Sequence, residues 1–109
     1  MKHKLSVGKI DSIREGDMRM IRAGGKEILV VKVDGKFFAI DGWCSHMRAP
    51  LDRGQLVDHA IRCRVHGAVF DLQTGKVLMN AQAKDLRTYP ILLENGDAFV
   101  IYEENESTL

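Results

Sequence analysis

Three Xaa-Gly pairs, Asp34-Gly35, Thr74-Gly75 and Asn95-Gly96, each sit between short apolar runs, and they constrain the fold more than any other feature. A tight turn between antiparallel strands needs backbone at positive φ, which Asp-Gly and Asn-Gly supply. EILVVKV (27–33) therefore pairs with KFFAI as a hairpin about Asp34-Gly35. VFDLQTGKVLM and ILLENGDAFVIYE predict two more hairpins, and further strands are expected near 3–7 and 17–23, with a short one in AIRC (60–63). DSIREGD (11–17) predicts one short helical turn, and no window sustains a 3.6-residue period. The class is mostly β, an antiparallel β-sandwich or small barrel of short strands.

A chain of 109 residues suits a single domain, 1–109, with one core. Sixteen Lys and Arg against 15 Asp and Glu leave a net charge of +1, which gives no basic excess for nucleic acid. MKHKLSVGKI carries charge but no apolar run behind it, so no signal peptide is expected. No stretch approaches the ~20 apolar residues that span a bilayer. These readings predict a soluble, cytoplasmic chain without a membrane partner. Residues 103–109 read as a frayed acidic tail.

The segment GWCSHMRAPLDRGQLVDH (42–59) breaks the strand rhythm and is predicted to be a long ordered loop, a kind of segment that usually carries function. It opens with Cys44-x-His46. After sixteen intervening residues comes Cys63-x-x-His66, and no further cysteine exists. Two cysteines are too few for a disulfide framework. Without neighbours of interest, such residues are ordinarily buried small hydrophobes. Here each has a histidine in the same loop. Two facing loops would bring together two sulfurs and two nitrogens, the donor set of a tetrahedral zinc or of a [2Fe–2S] cluster with mixed ligands. Zinc fingers pair Cys with Cys and His with His. One of each per loop suits two irons that differ in ligation, although a single zinc would also accept the set.

CSH followed by APLDRG, and then IRCRVHGAVFDLQTGKVL, resembles the Rieske [2Fe–2S] family, in particular its small soluble ferredoxins. The resemblance runs from about residue 28 to 102 and takes in LRTYPILLENGDAFVIY. It implies a β-sandwich base with a small cluster-binding subdomain at about 42–70. It implies one [2Fe–2S] cluster, with Cys44 and Cys63 on the inner iron and His46 and His66 on the outer iron near the protein tip. It also implies a one-electron carrier, not an enzyme, that takes electrons from a flavin-dependent ferredoxin reductase and passes them to a terminal oxygenase or other redox enzyme. An oxygenase would need a further iron site of two His and a carboxylate. After His46 and His66 only His3 and His59 remain. Two other readings stay in view: a small subunit of a larger reductase such as nitrite reductase, and a structural zinc domain.

Neutral imidazoles in place of two thiolates make a cluster less negative and easier to reduce. Rieske centres span about −150 to +300 mV, against about −400 mV for plant-type clusters. The high-potential respiratory members carry a Ser after the second His-Gly and a Tyr two residues on, whose hydroxyls bond to sulfur. Ala68 and Phe70 stand there in this chain, so a potential near the bottom of the range is expected. The bracing cysteine pair of those members is also missing, with Ala49 and Val65 at its positions. Ser45 and Arg64 follow the two cysteines where the family often has Pro. Arg48 stands where a residue tolerant of positive φ is usual, and 80–83 lacks the usual proline. These departures concern loop rigidity and partner choice. His59 reads as a solvated surface residue, His3 as a terminal one, and Trp43 as packing or a shield. Arg48, Arg53, Arg62 and Arg64 against Asp52 and Asp58 leave an excess of two positive charges that would steer an acidic partner. Residues 94–106 hold five acidic residues and no basic one.

Overall fold

The computed structural model describes residues 2–45, 49–65, 67–79 and 83–103. Eleven strands are formed among them: β1 (Lys2–Lys9), β2 (Met18–Ala23), β3 (Lys26–Val33), β4 (Lys36–Asp41), β5 (Gln55–Val57), β6 (Ala60–Arg62), β7 (Val69–Asp71), β8 (Val77–Met79), β9 (Thr88–Tyr89), β10 (Ile91–Glu94) and β11 (Asp97–Glu103). They make three antiparallel sheets of order β1-β11-β10, β2-β3-β4-β9 and β5-β6-β7-β8.

β3 explains the arrangement. Its run ILVV is apolar at every position, where a strand with one wet face would alternate. Successive side chains point to opposite faces. Ile28 and Val30 enter one apolar cluster with Val7, Ala98 and Val100. Leu29, Val31 and Val33 enter a second cluster with Leu51, Ile61, Phe70 and Leu72. The sheet containing β3 is thus buried on both sides. β1 and β11 cover the first face, and the small sheet β5–β8 with its loops covers the second.

The expected hairpins form. Asp34 and Gly35 take φ of 54° and 73°, and Asn95 and Gly96 take 53° and 82°, so both turns use two residues at positive φ as the pairs predicted. The Thr74-Gly75 hairpin is longer, because a β-branched Thr resists positive φ. Asp71 builds that turn instead, with Oδ2 accepting from the Thr74 N–H and hydroxyl, both at 2.8 Å.

Three expectations are corrected. Residues 42–59 are not one loop: a 3-10 turn (Leu51–Arg53) and β5 lie inside, and Asp58-His59 turns β5 into β6. A three-residue strand leaves no alternation to read in the sequence. The helical turn expected at 11–17 is a 3-10 turn at Ile10–Ser12. Glu103 belongs to β11, where Lys2 pairs with it, while the rest of the expected tail lies outside the described residues. No helix among the described residues is long and apolar enough to cross a membrane.

Candidate metal centre

The two cysteines sit at matched positions in two hairpins. β4 runs on through Gly42 and Trp43 to Cys44, and the chain returns through Ala49, Pro50 and Leu51. The Leu51 N–H donates to the Gly42 carbonyl at 2.8 Å, Trp43 bridges to Pro50, and the Cys44 N–H donates to the Ala49 carbonyl at 2.9 Å. In the second hairpin β6 continues to Cys63 and β7 begins after Ala68. Arg62 pairs with Val69, and the Cys63 N–H donates to the Ala68 carbonyl at 2.7 Å. Each loop is therefore closed by a Cys–Ala pair with four residues between, 45–48 in one and 64–67 in the other.

Cys44 and Cys63 are 4% and 1% exposed and lie in one apolar cluster, together with Ala49 and Ala68. Paired residues of an antiparallel ladder point to the same side. The residue paired with each cysteine carries only a methyl, the smallest side chain with a Cβ. A larger residue there would fill the space at the sulfurs. The two buried sulfurs, the small partners and the loops that carry the histidines fit a cluster held by both cysteines. His46 and His66, the other expected ligands, lie outside the described residues, as do Arg48 and the segment 80–82.

Neighbouring residues fix the first loop. The Ser45 hydroxyl accepts from the Lys84 N–H at 2.8 Å and donates to the Lys84 carbonyl, a two-way bond across 39 residues. It joins the first loop to a third segment whose Ala83 and Leu86 are buried in the same cluster as the cysteines. That segment is itself held by the Leu86 N–H to the Gly75 carbonyl and by Asp85 Oδ1, which accepts from Val77 N–H. The rigidity that a proline after Cys44 would give is here supplied by a hydroxyl clamp. Half-buried Trp43 donates from Nε1 to Glu27 Oε1 at 2.7 Å, which fixes the ring just before Cys44.

The remaining candidates are placed away from the thiols. His59 is exposed, as expected, but it pairs with Asp34 and tilts against Phe38, tying the β5–β6 turn to the β3–β4 turn. His3 lies within β1 and stacks on Tyr102 at 5.3 Å between ring centroids. Sequence reasoning noted Ala49 and Ala68 only for the groups they lack, and it missed their pairing with the cysteines and the clamp. The repeated spacing Cys-x4-Ala, in CSHMRA and CRVHGA, was the available signal for the alanines. Nothing local marks Ser45 as a partner of Lys84.

Comparison with known proteins agrees with this geometry. The family model for the Rieske [2Fe-2S] domain matches residues 3–90. The ferredoxin component of naphthalene 1,2-dioxygenase/salicylate 5-hydroxylase systems from a Ralstonia species is 40% identical over 86 residues, 79% of this chain and 83% of that protein. The ferredoxin subunit of 3-phenylpropionate/cinnamic acid dioxygenase from Photorhabdus laumondii is 33% identical over 104 residues, 94% of this chain and 98% of its own. Among solved structures, the Sphingomonas yanoikuyae B1 ferredoxin superposes with a TM-score of 0.84 at 27% identity, covering 93% of this chain and all of that one. The ferredoxin in a complex of reduced oxygenase and oxidized ferredoxin in carbazole 1,9a-dioxygenase superposes with a TM-score of 0.86 at 26% identity, covering 94% and 95%. A match across most of the chain, relatives above 30% identity and two buried cysteines in twin loops lead to one conclusion: this chain belongs to the Rieske [2Fe–2S] domain family, as an electron-transfer protein with one cluster of that type and not as a catalyst.

Proposed function

We propose that this protein is the ferredoxin component of an oxygenase system, a soluble cytoplasmic carrier that receives one electron from a flavin-dependent reductase and delivers it to a terminal oxygenase. The observation that carries the reading is the pair of buried thiols in hairpins closed by the same Cys–Ala bond. The relatives named above are ferredoxin components of dioxygenase systems, and one structural relative is bound to its oxygenase. Cys44 and Cys63 would hold one iron, and His46 and His66 the other, within a cluster-binding part at about 42–70 whose sheet runs on to Met79.

When bound, the cluster supplies reversible uptake of a single electron. The chain's own residues hold and shield it. The matched hairpins present both sulfurs from one apolar cluster, Ala49 and Ala68 leave room beside them, and Ser45 pins the third segment to the first loop. Fully buried Ala68 and Phe70 offer no side-chain donor to sulfur, which favours a potential low in the Rieske range.

Electron paramagnetic resonance of the dithionite-reduced protein tests the assignment, together with iron, sulfide and zinc analysis. A rhombic signal of low average g, with iron and sulfide in equal amounts, is expected. Zinc without sulfide in protein purified under air-free conditions would overturn it. Histidine-to-cysteine variants at 46 and 66 should shift the average g upward if those residues are ligands.

A further inference from the structure

The expected steering charges gather in one place. Arg53, Arg62 and Arg64 line an open cleft of about 450 Å³ together with Gln55, and Cys63 forms part of its wall. The β period puts them there. Arg62, Cys63 and Arg64 alternate exposed, buried, exposed, so the sulfur points into the core while its two flanking guanidinium groups face solvent. Gln55 pairs with Arg62 at the end of the β5–β6 ladder, and Arg53, in the 3-10 turn just before β5, reaches the same cleft. At Gly54 a Cβ would lie 2.3 Å from the Arg62 carbonyl, so a glycine is what lets the two arginine-bearing segments approach this closely.

Guanidinium groups gathered on one rim repel one another, and no ion pair among the described residues involves Arg53, Arg62 or Arg64. The ion pairs there are Lys4–Glu94 and His59–Asp34. Most carboxylates are engaged elsewhere: Glu15 by the β3–β4 turn, Glu27 by Trp43, Asp41 by Arg87 N–H and Tyr89, Asp71 by Thr74 and Asp85 by Val77. Asp52, next to Arg53, has a buried Oδ1 and makes no ion pair with it. Three arginines without an ion pair among the described residues, on the rim of a cleft walled by a cysteine of the proposed centre, call for carboxylates from outside.

We propose that this arginine cleft is the docking site for an acidic surface of a redox partner protein, which it brings against the Cys63 side of the centre. The inference rests on the electron-carrier reading above.

The test uses the intact, cluster-loaded protein and poly-L-glutamate as a carboxylate-bearing polypeptide. Titration calorimetry at low salt should show binding that weakens as salt is added. R53Q/R62Q/R64Q should lose it by tenfold or more, whereas R14Q/R22Q/K36Q, which removes the same charge from other exposed positions, should retain it. Stopped-flow oxidation of the reduced protein gives a second readout, one electron passing to cobalt(III) and leaving cobalt(II). The anionic cobalt(III)–EDTA complex should react about tenfold more slowly with the cleft variant than with the wild type. The cationic tris(phenanthroline)cobalt(III) complex should not be slowed. Equal binding by both triple variants would overturn the docking site. So would inorganic phosphate competing as well as polyglutamate at matched ionic strength, which marks a small-anion site, or duplex DNA binding more tightly than polyglutamate. A protein without the resonance signal fails the carrier reading. One that has the signal and reacts with both oxidants but ignores polyglutamate fails the docking inference alone.

Discussion

The two apolar clusters on either side of β3 are made of different material. The cluster facing β1 and β11 draws on strands of seven and eight residues joined by long ladders. The cluster facing β5–β8 draws on three-residue strands, two hairpin loops and the two cysteines. Short strands offer few backbone bonds and short apolar faces, so the second side has less of its own to hold it. The first half is a scaffold that the polypeptide stabilises by itself. On the proposed reading, the second half is arranged around what the cysteines would hold, and metal binding there would be part of its folding free energy.

The sharpest way to break this contrast is to take the metal away. Cys63→Ser should abolish the resonance signal. Amide exchange should then rise across 55–79 by orders of magnitude while Val30 and Val100 stay protected. Uniform loss of protection would show that the two halves are one cooperative unit. Uniform retention would show that the small sheet stands without the centre.

The scaffold half was largely legible in the sequence. Asp34-Gly35 and Asn95-Gly96 announce their turns because few residue pairs accept that backbone, and EILVVKV reads as a strand, though its burial on both faces emerged only in the structure. The other half was legible by its chemistry more than by its shape. Cys44 and Cys63 stood out as donors, yet β5 and the 3-10 turn Leu51–Arg53 were hidden inside an apparent loop. Three residues carry too little pattern, and pairing such as Gln55 with Arg62 is decided by contacts across the chain. The link of Ser45 to Lys84 spans 39 residues and has no local signature at all.

Packing gives the next largest effect. Phe70 is fully buried beside the cysteines, and Phe70→Ala should cost about 3–5 kcal/mol in urea unfolding of the loaded protein. It should also speed loss of the visible absorbance. Ile28→Ala, in the opposite cluster, should cost about 2–5 kcal/mol with little change in absorbance loss at matched stability. Equal rates in the two variants would erase the distinction between the halves.

Hydrogen bonds at the loops act on a smaller scale. Ser45→Ala removes the two-way clamp on Lys84 and should cost about 1 kcal/mol, with faster amide exchange at 83–86. Ser45→Thr keeps the hydroxyl and should restore slow exchange; failure to do so would mean the clamp does not hold the third segment. Ala68→Ser places a hydroxyl beside the buried thiols. A hydrogen bond to sulfur of about 0.5–1.5 kcal/mol in the reduced state corresponds to roughly 20–65 mV upward for one electron, at ~59 mV per tenfold. Phe70→Tyr should move the potential the same way. Protein-film voltammetry measures both, and an unchanged potential in both variants would defeat the account of why it is low.

The smallest effect lies at the seam between the halves. Asp41 ends β4 just before the first loop; its Oδ1 accepts from the Tyr89 hydroxyl at 2.6 Å and its Oδ2 from the Arg87 N–H at 2.9 Å. Burial, and then the Asp41 carboxylate, hold the Tyr89 phenol well above the ordinary tyrosine range. In the unfolded chain that phenol ionises near pH 10. Below that pH both states keep the proton, and the bond contributes its full stability. As pH climbs past it, the unfolded chain sheds a proton that the folded one retains, so folding loses ground. Tyr89→Phe keeps the ring and discards the proton. The variant should be the less stable protein at pH 8, and the gap should narrow steadily above about pH 10. Urea midpoints at pH 8, 10 and 11 decide it: no gap at pH 8 would mean that Asp41 holds the seam through Arg87 alone, and a gap that stays constant to pH 11 would mean that folding does not hold the proton on Tyr89.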